Sequence, residues 1–193
     1  MILTMEEFRA YQPEKPTFAL FGHPIAHTMS PELHALLFAA SGKDCTYFAV
    51  DVPPEDLAEA MQIASEKCGG LNLTIPHKKA VFDYLDAVDE AARDLGSVNT
   101  VHFRDGKAIG YNTDILGFSG SLEFDGIDPK GKIAVVCGYG GVSRVMAYHL
   151  ANVGAKVLIT GRNLAKAKAL RNELRGYLPE ADIDIMPATQ LPR

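Results

Sequence analysis

An α/β fold in two successive parts is what this sequence predicts, and three observations predict it. Short apolar runs closed by glycine or proline alternate with longer stretches of helical spacing, the signature of a layered α/β domain. A polar, turn-rich segment, DGIDPKGK, then interrupts the alternation. Beyond it a second alternation begins with the apolar run KIAVVC, the glycine turn GYGGVS and an amphipathic stretch. At 193 residues the chain is long enough for one large domain or two small ones. We place residues 1–113 in the first domain and 114–193 in the second.

The start, MILTMEEFRAYQPEKP, carries acids and helical spacing where a secretory leader has a basic end and a continuous apolar run, so no leader is expected. TFALFG is an apolar run closed by glycine and reads as a strand. Ser30, Pro31 and Glu32 then mark a helix start and Gly42 its stop, with Leu33, Leu36, Leu37 and Ala40 expected on one apolar face. TYFAVDV reads as a second strand, and 54–67 as a helix carrying Leu57, Ala60, Met61 and Ala64 inward.

In GLNLTIPHKK, the residues Leu71, Leu73 and Ile75 alternate as a strand with one buried face, and Pro76 ends it because proline cannot donate to a ladder. Lys78 is thereby delivered to the carboxyl end of a strand, the edge at which open α/β sheets bind ligands. Residues 79–95 carry helical spacing through Val81, Tyr84, Leu85 and Val88, and the extended runs 98–103 and 107–111 flank the turn RDGK as a hairpin.

A helix over 114–123 and the DGIDPKGK linker lead to a buried strand at 132–137, a glycine turn at 138–143 and a helix at 142–153. A strand at 155–160, a helix at 163–175 and a third strand at 181–186 complete one βαβαβ half of a dinucleotide (Rossmann) fold.

Composition narrows the function. The formal charge of −5 opposes a nucleic-acid surface, which needs a basic face, and no apolar segment approaches the length that spans a bilayer. Cys45, Cys68 and Cys137 are odd in number and lack a CxxC spacing, so they are expected as small buried residues of a protein in a reducing cytoplasm. His23, His27, His34 and His77 have no cysteine or carboxylate completing a ligand set, so no metal is expected.

Several residues can carry chemistry. A lysine partly desolvated at a strand end exchanges protons near neutrality, while a solvated Lys78 does nothing of the kind. Thr28 and Ser30 present hydroxyls at a helix mouth, suited to a carboxylate or, at Ser30, simply to a cap. Asn99 and Asp114 fall at element ends, where Asp114 equally reads as a first-turn acid. Gly138, Gly140, Gly141, Val142 and Ser143 match a glycine turn that lets a pyrophosphate approach a helix N-terminus, with a ligand-free tight turn as the alternative. Near the end of the second strand of this half stand Thr160, Gly161, Arg162 and Asn163, an arginine and no acid. Arg162 favours NADP through its 2′-phosphate, unless it is merely a solvated arginine at a helix start.

Taken in order, GHPIAHTMSP, NLTIPHK, SVNT, GYNTD and GYGGVSR resemble the shikimate dehydrogenase family, which includes quinate/shikimate dehydrogenases, over about Phe18 to Arg162. The resemblance implies a substrate-binding and catalytic α/β domain followed by an NADP-binding Rossmann domain. The implied reaction is the reversible NADPH-linked reduction of 3-dehydroshikimate to shikimate in aromatic amino-acid biosynthesis. Carried over by motif, Lys78 and Asp114 are the catalytic pair, Thr28 and Ser30 hold the substrate carboxylate, and Thr74, Asn99 and Asp114 face the ring hydroxyls. The glycine turn would cradle the pyrophosphate and Arg162 would take the 2′-phosphate.

Four departures accompany the resemblance. Thr28 stands where serine is usual, which leaves shikimate or quinate open. Tyr139 replaces a small residue in the glycine loop, where a ring either hinders the cofactor or stacks on it, and Gly161 precedes Arg162 where the family has asparagine. The chain stops at Arg193, so the second Rossmann half, the late substrate-binding tyrosine and glutamine and the final helix of the family are expected to be absent. A monomer or homodimer acting on a small molecule is expected, with a non-catalytic shikimate-binding module as the alternative to an enzyme.

Overall fold

The computed structural model describes residues 1–190; residues 191–193, with the chain end at Arg193, lie outside the described residues. The backbone divides into two units, Met1–Asn112 and Thr113–Arg193, each with its own sheet and core.

The first unit opens with β1 (Ile2–Leu3) and α1 (Met5–Ala10). Thr4 caps α1 by accepting from the Glu7 amide while the Glu7 carboxylate accepts from the Thr4 amide, a reciprocal capping box. Then follow β2 (Thr17–Gly22), α2 (Ser30–Ala40), β3 (Thr46–Asp51), α3 (Leu57–Lys67), β4 (Gly70–Leu73) and α4 (His77–Ala80). The unit closes with β5 (Ala87–Val88), α5 (Glu90–Leu95), β6 (Thr100–Arg104) and β7 (Lys107–Tyr111). The strand order is β1-β3-β2-β4-β6-β7-β5. The β1, β3, β2 and β4 strands run parallel, and β6 enters antiparallel to β4 as the first arm of a hairpin with β7. That hairpin turns at Asp105 and Gly106, whose φ values of 52° and 71° are the left-handed pair a two-residue turn requires.

Period-two alternation sorts the central strands onto two faces. Ala19 and Phe21 of β2, Phe48 and Val50 of β3, and Leu71 and Leu73 of β4 join one core with Phe8, Leu57, Ala60, Met61 and Ala64. The rings of Phe21 and Phe48 meet Phe8 edge-on at 5.6 and 5.9 Å. On the opposite face Leu20, Tyr47 and Ala49 pack with Ile25, Phe18 and Phe38.

Four expectations are corrected, three in this unit and one for the cysteines of both. The stretch 79–95 is not one helix: α4 gives way to a turn of 3-10 helix at Val81–Tyr84, and β5 then pairs with β7. Asp86 fixes that break by accepting from the Ala108 amide, and Asp89 caps α5 by accepting from Ala91. Ile75 does not continue the buried face of β4; the chain leaves the sheet after Leu73 and Ile75 is 76% exposed. Helix α2 packs through Pro31, His34 and Phe38, leaving Leu33, Leu36 and Leu37 exposed. The cause is His34, whose ring stacks on Tyr47 at 3.7 Å and 4° while its Nδ1 donates to the Ser30 carbonyl. Among the cysteines Cys68 is buried as expected, Cys45 is half-buried, and Cys137 is exposed.

The second unit runs α6 (Asp114–Phe124), β8 (Ile133–Cys137), α7 (Gly141–Asn152), β9 (Lys156–Thr160), α8 (Leu164–Tyr177) and β10 (Ile183–Ile185). Its strands are parallel in the order β10-β9-β8. The core joins Val136, Ala147, Leu150, Val157, Ile159, Leu170 and Leu174, and α6 packs on it through Phe118 and Leu122. The β8 strand was expected to be buried. It lies instead at the edge of the described sheet, with Ile133 67% exposed and only Val136 fully inside. No helix among the described residues is long and apolar enough to cross a membrane.

Candidate active site

The carboxyl ends of β2 and β4 build the floor of a cavity of about 460 Å³ lined by Leu20, His23, Thr28, Ser30, Thr74, Ile75 and their neighbours. Thr74 donates its amide to the Phe21 carbonyl at 2.9 Å, and His23 donates its own to Ile75 at 3.0 Å, so the two strand ends are laced together. Gly22 makes this approach possible. A Cβ there would lie 2.5 Å from Thr74 Cγ2 and 2.7 Å from Ile25 Cδ1.

Three of the expected substrate residues therefore share one cavity. The Ser30 amide and Thr28 Oγ1 are 3.2 Å apart, and Thr28 Oγ1 donates to Ser30 Oγ at 3.1 Å, so the two hydroxyls face each other at the start of α2. Ser30 is the first residue of that helix, not a side-chain cap, which leaves its hydroxyl at the cavity. His23 flanks them, its Nδ1 donating to Asp51 Oδ1 at 3.0 Å.

Lys78 sits half-buried in α4, and its position is fixed from two sides. The preceding His77 is fully buried and donates from Nε2 to the Val52 carbonyl at 2.7 Å; burial holds its pKa below the ordinary histidine range. The Lys78 carbonyl itself accepts from the Val98 amide at 2.8 Å, which brings Asn99 alongside. Asn99 is buried and is held by a chain of side chains that the sequence did not reveal: Tyr47 donates to Asn72 Oδ1, Asn72 to Thr100 Oγ1, and Thr100 to Asn99 Oδ1, all within 3.0 Å. Burial pushes the Tyr47 phenol up, so it is neutral and able to donate. The one signal was Asn72, a polar residue in an otherwise apolar strand. Asp114 is the first residue of α6 and belongs to the second unit, whereas Lys78 belongs to the first. Among the described residues no group of three or more potential ligands could hold a metal ion.

In the second unit the glycine turn has the properties an anion cradle needs. Gly138 takes φ of 120°, donates its amide to the Thr160 carbonyl at 2.7 Å, and is covered by Ser143, whose Oγ would be 2.7 Å from a Cβ at 138. Gly140 and Gly141, by contrast, face open space in which a Cβ would meet nothing within 4 Å. Helix α7 starts at Gly141, placing Val142 and Ser143 in its first turn, where amides lack intrahelical partners. Arg162 is exposed just beyond β9, before Asn163 caps α8 by accepting from the Lys166 amide. These residues fit a dinucleotide pyrophosphate and a ribose phosphate.

A cavity lined by Thr28, Ser30 and Thr74 at the carboxyl edge of a mixed sheet, followed by a βαβαβ unit with a glycine turn, defines an α/β protein with a Rossmann-type second unit. Residues 20–101 match the shikimate dehydrogenase substrate binding domain. A curated relative, the NADP(+) shikimate dehydrogenase of Moorella thermoacetica, is 44% identical over 160 residues, 82% of this chain and 54% of the relative. Among solved structures, a shikimate dehydrogenase in complex with NADP+ aligns at 36% identity with a TM-score of 0.84, covering 90% of this chain and 61% of that one. Shikimate 5-dehydrogenase from Thermus thermophilus in complex with shikimate aligns at 35% identity and 0.80, covering 90% and 64%. The chain belongs to the shikimate dehydrogenase family. It spans about half the length of the first curated relatives it matches.

Proposed function

We propose that this chain carries the substrate-binding domain and the first cofactor-binding half of an NADP-linked oxidoreductase that interconverts 3-dehydroshikimate and shikimate. The observation that carries the reading is the convergence of Thr28, Ser30 and Thr74 on one cavity, with Lys78 and Asn99 tied together through Val98. The substrate carboxylate takes the Thr28 and Ser30 hydroxyls, and the ring hydroxyls take Thr74 and Asn99. NADPH, when bound, supplies the hydride. Lys78 orients the carbonyl oxygen and gives it a proton on reduction, or receives one in the reverse direction. The glycine turn at 138–143 holds the pyrophosphate through its amides beyond Gly138, whose own goes to Thr160, and Arg162 pairs with the 2′-phosphate.

Absorbance at the NADPH band with 3-dehydroshikimate, set beside calorimetric binding of shikimate, tests this assignment. Lys78→Met is expected to leave shikimate affinity within a small factor and to lower turnover by about 10²–10⁴-fold, because a proton-transfer group acts chiefly in the transition state. Turnover at the wild-type rate in that variant removes Lys78 from the mechanism. Tight shikimate binding by a wild-type protein without turnover makes this chain a binding module.

A further inference from the structure

The glycine turn and the end of β9 are joined by one aromatic ring. Tyr139 lies in the turn, half-buried against the second core, and its ring edge covers Gly161: a Cβ built on Gly161 would lie 2.8 Å from Tyr139 Cε1 and 3.2 Å from Cδ1. Carbon atoms pack no closer than about 3.5 Å without strain, so residue 161 cannot carry a side chain while the ring stays where it is. The Lys166 ammonium stands 5.9 Å from the centroid of the same ring, so the ring is bordered by a cation, and Arg162 follows Gly161 in the chain.

The position Gly161 occupies is chemically specific. In a βαβ nucleotide unit, the residue after the second strand is where a carboxylate accepts hydrogen bonds from the adenosine ribose hydroxyls. Here that place is filled by carbon from the neighbouring loop, and the adjacent groups are cationic. An unphosphorylated ribose finds no acceptor at 161, whereas a phosphorylated one finds charge.

We infer that Tyr139 is a specificity-determining residue: its ring excludes a side chain at 161 and so commits the site to a ribose bearing a 2′-phosphate. The inference rests on nucleotide binding by this unit and deepens it. It differs from the role of Arg162, because it makes the identity of residue 161 depend on residue 139.

The test is a double-mutant cycle on the 193-residue chain with two probes, adenosine 2′,5′-bisphosphate and ADP, by calorimetry. Wild type is expected to prefer the bisphosphate. Gly161→Asp alone is expected to lower the melting temperature and gain no ADP binding, because the carboxylate cannot enter beside the ring. Tyr139→Ala with Gly161→Asp restores stability relative to Gly161→Asp and shifts the ratio of affinities toward ADP by about ten- to a hundredfold, the range of a hydrogen bond to a charged group. If Gly161→Asp shifts the ratio as far with Tyr139 present as without it, the ring excludes nothing and the inference fails while nucleotide binding stands. If wild type binds neither probe, nucleotide binding by this unit fails and the inference falls with it; melting temperatures of the four proteins then show only whether the two residues are packed as a pair.

Discussion

Replacing Gly22 with alanine probes the point at which fold and site depend on each other. The added methyl would sit 2.5 Å from Thr74 Cγ2, 2.7 Å from Ile25 Cδ1 and 3.3 Å from the Ile75 carbonyl oxygen, in a position that is fully buried. Carbon pairs are comfortable at about 3.5–4.0 Å, so two neighbours must give way by about 1 Å each. Ile25 can move, since the crowded atom is the far end of its side chain. Thr74 has only χ1, and turning it carries the hydroxyl away from the cavity. Overpacking of this kind costs about 1–3 kcal/mol, offset by roughly 0.4–1 kcal/mol because alanine restricts the unfolded chain. A net loss of about 1–2 kcal/mol lowers the melting temperature of a unit this size by on the order of 10 °C. Losing one hydroxyl contact weakens shikimate by about two- to tenfold. Thermal unfolding and shikimate calorimetry read the two effects, with Gly117→Ala as the comparison: that glycine lies inside α6 with nothing within 4 Å of its Cβ position, and alanine there is expected to stabilise. If Gly22→Ala stays within 0.5 kcal/mol of wild type and binds shikimate equally well, the close approach of β2 and β4 does not position Thr74.

The remaining predictions concern charge. Arg162→Ala is expected to weaken NADP about ten- to a hundredfold while leaving NAD nearly unchanged, and equal losses for both cofactors would sink the phosphate contact. His77 is fully buried and titrates below its ordinary value near 6.5, so the unfolded chain takes up a proton before the folded one does. Stability from this residue is complete above about pH 6.5 and declines as pH falls from there toward the lowered folded value; His149 in α7 shifts in the same direction through burial. Urea unfolding at pH 7.5 and pH 5 is expected to show a smaller difference in His77→Phe than in wild type, and an unchanged difference refutes the buried, neutral histidine.

Much of this architecture is legible in single residues. The Asp-Gly hairpin, the inward face of α3 and the glycine turn each follow from a local rule and stand where the rule puts them, whereas β4 ends at Leu73, short of the stop read at Pro76. What escaped reading depends on partners distant in sequence. Nothing near His34 announces that it will stack on Tyr47 and turn the leucines of α2 outward. The break between α4 and α5 is fixed by Asp86 reaching Ala108, and β5 is a strand only because β7 lies beside it. Thr28, Ser30 and Thr74 are found by motif, but the network from Tyr47 to Asn99 requires β3, β2, β4 and β6 to lie in that order in one sheet, so that Tyr47 reaches across β2 to Asn72. Tyr139 and Gly161 were visible as separate oddities; only the fold puts one on the other.

The central claim is that the Thr28, Ser30 and Thr74 cavity receives the carboxylate of shikimate, and calorimetric titration of shikimate into the 193-residue chain tests it most directly. Wild type is expected to bind, and Thr28→Val with Ser30→Ala to lose at least about tenfold in affinity, since two hydrogen bonds to a charged group disappear from an open cavity. The double variant is expected to remain folded with a lower melting temperature, because the Thr28 bonds to the Ser30 amide and hydroxyl go too. An equal affinity in wild type and the double variant, or no binding by wild type at all, would contradict the account.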